Sequence, residues 1–92
     1  MSDIIIRRKY DKTHSEARAA AEHMASELKE EFDLDFSWED EVIHFKRPGV
    51  SGELTLDNQE VVLSIRLVFF LSALKPSIER EINRFIDENF QT

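Results

Sequence analysis

Between Thr13 and Phe32 the chain carries a pattern that one kind of secondary structure satisfies best. Ala17, Ala20, Ala21, Met24, Ala25, Leu28 and Phe32 recur at intervals that gather side chains on one face of an α-helix. Thr13-His14-Ser15-Glu16 stands just ahead of them and fits a capping box, in which Thr13 and Glu16 satisfy each other's backbone donors. Arg18, Glu22, Ser26 and Lys29 take the opposite face, with Arg18 and Glu22 spaced one turn apart as an ion pair. The spacing predicts a helix over 14–32. Its inward stripe is mostly alanine, and small side chains let a helix lie close on its neighbour. A thin, filled core beneath it is therefore expected, with little volume for a pocket of roughly 300 Å3 or more.

The rest of the chain supplies the surface this helix would cover. Residues 3–10 read as a strand, with Ile4, Ile6, Arg8 and Tyr10 on one face and Ile5, Arg7 and Lys9 on the other. Leu34, Phe36 and Trp38 alternate with Asp35 and Ser37, and after the polar turn Glu39-Asp40-Glu41 a strand returns over 42–47. Pro48-Gly49 breaks it, and a third run follows over 50–56. After Asp57-Asn58-Gln59-Glu60, the longest strand is expected over 61–70, with Val61, Leu63, Ile65, Leu67 and Phe69 on one apolar face. Lys75-Pro76 opens a last helix, whose stripe is Ile78, Ile82, Phe85, Ile86 and Phe90. The order is β-α-β-β-β-β-α. Short polar turns imply an antiparallel sheet of about five strands, with two helices packed on one face, an α+β fold.

Ninety-two residues support one hydrophobic core, so residues 1–92 read as a single domain. Charged residues make up 34% and the net charge is −7, which works against the counterion release that drives nucleic-acid binding. The basic clusters Arg7-Arg8-Lys9 and Lys46-Arg47 would make one patch only if their strands met; otherwise they are solvated strand ends. The absence of cysteine excludes disulfides and thiolate ligands. Met1-Ser2-Asp3 leads into a strand without an apolar leader, and the run Leu67-Val68-Phe69-Phe70-Leu71 is too short to span a bilayer. A cytoplasmic location is expected.

Catalytic and metal patterns fail one by one. Asp33-Leu34-Asp35-Phe36-Ser37 begins like a calcium loop, but Trp38 stands where the turn needs glycine and His44 where a bidentate glutamate belongs. Gly49-Val50-Ser51-Gly52-Glu53 lacks the second glycine of a nucleophile elbow and joins two strands. His14, His23 and His44 form no zincin pair, and no glycine-rich phosphate loop is present. Carboxylates are abundant, but no spacing marks a catalytic pair. The chain reads as a non-enzyme with no cofactor and no metal.

The second face of the long strand is more informative. Val62, Ser64, Arg66, Val68 and Phe70 alternate with the core set, so Ile5, Val62, Val68 and Phe70 are the candidate interaction patch. The competing expectation is that the chain from Leu71 folds back over Phe70.

Several stretches together resemble the polyhydroxyalkanoic acid system family, also described as granule-region proteins. They are Asp3-Ile4-Ile5-Ile6-Arg7-Arg8, Glu16-Ala17-Arg18-Ala19-Ala20-Ala21-Glu22, Trp38 ahead of Phe45 and Arg47, Gly49-Val50-Ser51-Gly52-Glu53, and Leu71-Ser72-Ala73-Leu74-Lys75 leading to Ile78-Glu79. Tyr10 and Val68 stand where the family commonly has His and Gly. The resemblance implies an accessory role in storage of polyhydroxyalkanoate (PHA), with a granule surface, a granule coat protein or a second copy in a homodimer as partner. It carries over no catalytic residue. Two other readings remain: a small binder of hydroxyacyl or lipid-like ligands of helix-grip type, and a hydrolase or cyclase of polyester metabolism. The second of these lacks a nucleophile with its base.

Overall fold

The capping box forms and sets where the first helix begins. In α1 (His14–Phe32) the Thr13 hydroxyl accepts from the Glu16 amide at 3.1 Å, and the Thr13 amide donates to the Glu16 carboxylate at 2.9 Å. Asp33 ends the helix in a left-handed conformation (φ 56°), which turns the chain and buries Leu34. The structure is a computed structural model that describes residues 2–57 and 59–90, with the side chains of Ser2, Phe69, Phe70 and Ser72 outside that description.

Five strands form one antiparallel sheet: β1 (Ser2–Lys9), β2 (Asp35–Glu39), β3 (Val42–Arg47), β4 (Val50–Asp57) and β5 (Glu60–Leu67). Their spatial order is β1-β5-β4-β3-β2. The last four make a meander, and β1 joins the far side of β5, so α1 must carry the chain from one edge to the other. Its 19 residues extend about 28 Å, enough for the roughly 19 Å between edge strands.

Pairing aligns the apolar residues in rows across one face. Ile6, Leu63, Leu54, Ile43 and Trp38 make one row; Ile4, Ile65, Gly52, Phe45 and Phe36 make the next. A side chain at Gly52 would meet the Ser64 carbonyl oxygen at 2.8 Å, so this position in the second row must stay bare. The helices α1 and α2 (Lys75–Phe90) run antiparallel over this face and are stitched together where Asn89 Oδ1 accepts from His23 Nδ1 at 2.6 Å and Asn89 Nδ2 donates to Glu27 at 2.7 Å. Their buried residues, Ala17, Ala21, Met24, Ala25 and Leu28 from α1 and Ile82, Phe85, Ile86 and Phe90 from α2, complete the core. Removing this much apolar surface from water is the main stabilising term.

Two local expectations are corrected. The strand expected over 61–70 ends at Leu67, and a 3-10 segment, Phe69–Leu74, follows. Its neighbours explain the stop: Leu67 pairs with Ser2 on one side and Val50 on the other, the first residues of β1 and β4. Ahead of Val50 the chain turns away at Gly49 (φ 84°), and the Val68 amide donates to the Gly49 carbonyl at 3.0 Å. Arg18 and Glu22 do not pair with each other. Trp38 takes both, its indole N–H donating to Glu22 at 2.8 Å while the Arg18 guanidinium lies 3.9 Å above its ring.

Candidate functional site

The layer between helices and sheet has two unlike ends. At one, the N-terminal half of α1 meets the C-terminal half of α2. Tyr10 packs against Phe90 with the rings tilted and their centroids 5.4 Å apart, and its amide donates to the Gln59 carbonyl at 2.9 Å. Burial, with the carboxylates of Glu41 and Asp57 adding to it, pushes the Tyr10 phenol above its ordinary value. Arg8, the last core-face residue of β1, binds Asp87 and donates to the Asn83 side-chain oxygen at 3.0 Å, closing α2 onto β1.

At the other end the layers part. A cleft of about 580 Å3 lies between α1, α2 and the ends of β3, β4 and β5. Leu28, Phe32, Leu67, Leu71, Ile78 and Ile82 form its apolar wall, and Leu74, 52% exposed, stands at its edge. The filled interior expected from the alanine stripe is thus confined to one end. Toward its C-terminus the stripe changes to Leu28 and Phe32, and the chain between β5 and α2 is occupied by the 3-10 segment.

The polar groups of the cleft are few. Arg47, the last core-face residue of β3, donates to the carbonyl of Phe32, the final residue of α1, at 2.6 Å. That contact places a cation at a helix C-terminus, where it is favoured. Ser77 comes from the first turn of α2, and Glu81 accepts from Arg84 at 2.6 Å. Gly49, at φ 84°, forms the β3–β4 turn against the same wall: a side chain there would approach Leu71 Cδ1 to 2.9 Å.

The patch expected from the sequence is spread out. Ile5 is 62% exposed on the helix-free face, opposite Ser64 and diagonal to Val62. Val68 is half-buried past the end of β5, with Arg66 and its partner Asp3 (3.4 Å) between it and Ile5. Phe70 lies in the 3-10 segment rather than on a strand face, and its side chain is outside the description. Apart from half-buried Val42, the rest of that face is polar among the described residues: Arg7 contacts Glu60 at 3.3 Å, and His44 lies between Glu39 and Glu53 at 3.5 and 3.4 Å.

The two basic clusters do not meet, since β1 and β3 are separated by β5 and β4 and the clusters sit at opposite sheet ends. His14 contacts Glu41 at 3.1 Å and His23 contacts Glu27 at 3.5 Å, both at the surface. Neither they nor His44 lines the cleft, and among the described residues no cluster of metal-ligating side chains forms. No described helix is long and apolar enough to cross a membrane.

Sequence reasoning passed over Arg47 as a cleft residue. Its signal was parity: Ile43, Phe45 and Arg47 share a strand face, so a charge follows two core residues. Residues 4–90 match the model of a family described as "Putative polyhydroxyalkanoic acid system protein". No curated protein matches the chain.

Proposed function

This chain belongs to the polyhydroxyalkanoic acid system family, and from that membership we propose that it is a non-enzymatic accessory protein that docks on the polyester granule surface through the mouth of its cleft. One observation carries the reading: a large apolar side chain, Leu74, is exposed at the edge of an apolar cleft. Contiguous apolar surface of this kind gains free energy when a hydrophobic phase removes it from water. Among the described residues the helix-free sheet face offers Ile5 with half-buried Val62 and Val42, set among ion pairs that water solvates well. Among the described residues, the side chains of the cleft include no histidine, cysteine or paired carboxylates to drive acyl transfer, which supports a binding role.

Co-sedimentation with protein-free polyhydroxyalkanoate granules tests the reading. The wild-type protein should pellet with granules, Leu74→Glu should remain largely in the supernatant, and Ile5→Glu should pellet like wild type. Loss of binding in Ile5→Glu alone would move the contact to the sheet face and overturn the assignment. A wild-type protein that stays wholly in the supernatant would end it.

A further inference from the structure

We propose that the cleft is a binding site for one unbranched alkyl chain bearing a terminal carboxylate, with the carboxylate received by Arg47. The inference rests on the same cleft as the granule reading, but it concerns a single dissolved molecule and stands without any granule.

Size and lining define the tail. A volume of about 580 Å3 falls within the roughly 300–1,000 Å3 typical of small-molecule pockets. Its wall is aliphatic and aromatic, contributed by both helices, the strands β4 and β5 and the 3-10 segment. An alkyl chain is the chemistry such a wall accepts, because each methylene removed from water is favourable and none needs a polar partner.

Arg47 defines the head. Arg8 and Arg47 are both terminal core-face residues of their strands, but Arg8 is bound by the Asp87 carboxylate and Arg47 by no carboxylate among the described residues. The hydrogen bond to the Phe32 carbonyl uses one donor of a guanidinium that has five. The remaining donors are suited to a carboxylate, which a guanidinium can grip through two parallel bonds. The one acid of the lining among the described residues, Glu81, is already engaged by Arg84, which offsets its repulsion of a bound anion. The first turn of α2, with Ser77, borders the same cleft and adds the positive end of a helix dipole.

Isothermal titration with decanoate, octanoate and methyl decanoate tests the proposal. Decanoate should bind one molecule per chain, and octanoate, shorter by two methylenes, should bind roughly tenfold more weakly. Methyl decanoate should also bind about tenfold more weakly than decanoate, since it lacks the charge. Arg47→Gln should reduce the acid to the affinity of the ester while leaving ester binding intact, which separates a lost head contact from a lost fold. Arg47→Lys should recover part of the difference. Equal affinity for acid and ester, or an Arg47→Gln variant that binds decanoate normally, would overturn the head assignment. Failure of every compound to bind would overturn the site. Either result leaves granule sedimentation free to succeed or fail by itself.

Discussion

Arg8 and Arg47 hold matching places in the sheet and meet different surroundings. Each is the last residue of its strand to point toward the helices, and they stand at opposite ends of the layer. Around Arg8 the helix α2 supplies Asp87 and Asn83, and beside it the tilted rings of Tyr10 and Phe90 pack together. Around Arg47 there is a carbonyl and an apolar hollow. The sheet pattern is the same at both ends, so the difference originates in what lies above it. Alanine brings α1 down at its start, whereas Leu28 and Phe32 occupy its far half. Whether a small α+β layer is filled is decided turn by turn along the covering helix.

The sharpest way to break this contrast is to truncate one apolar residue at each end. Phe90 is 1% exposed, so Phe90→Ala should cost about 3–5 kcal/mol in urea unfolding, while Leu74→Ala should stay within about 0.5 kcal/mol. Similar losses at both ends would mean that the cleft is as tightly closed as the aromatic end. Adding volume asks the same question in reverse. Ala21→Leu should destabilise by about 1–3 kcal/mol because α1 has no room to rise there, whereas Ser77→Leu at the cleft should be tolerated within about 0.5 kcal/mol. A neutral Ala21→Leu would show slack where none is expected.

Smaller effects refine the closed end. Thr13→Ala removes the hydroxyl that accepts from Glu16 and should lower stability by about 1 kcal/mol, measured by the same unfolding curves. The smallest effect concerns pH. Backbone donation from Thr13, with its side chain adding to it, holds the Glu16 carboxyl below its ordinary value of 4.5. A group more easily ionised in the folded chain than in the unfolded one stabilises above that ordinary value, and loses this contribution as pH falls through the folded value. Wild type should therefore exceed Glu16→Gln in stability at neutral pH, and the gap should narrow on acidification below 4.5. A gap that widened would reverse the sign and remove the capping box as its cause.

Much of the frame could be read from residues alone. Thr13 and Glu16 mark the start of α1, the alternation of Ile4, Ile6 and Tyr10 gives the buried face of β1, and Pro76 announces α2. These signals are local, carried by residues within a few positions of one another. The end of β5 was not legible, because it depends on where β1 and β4 begin, a matter of pairing between distant segments. The cleft escaped for a related reason. Seven stripe positions of α1 suggest one uniform packing distance, yet the path from Leu67 to Lys75 helps decide what fills the far end. The charge of Arg47 was plain in the sequence, and its freedom became apparent only beside the partnered Arg8.

The pairing of β1 with β5 also bears on how the chain is made. A ribosome adds amino acids at roughly 5–20 per second, so Ile4 and Ile6 leave it several seconds before Ile65 and Leu63 exist. During that interval α1 can wind by local contacts, but the first strand has no native edge to join, and closing so long a loop is slow. Nascent molecules must therefore keep a β-branched isoleucine triplet waiting, and Asp3, Arg7, Arg8 and Lys9 around it supply the charge that discourages premature association between chains.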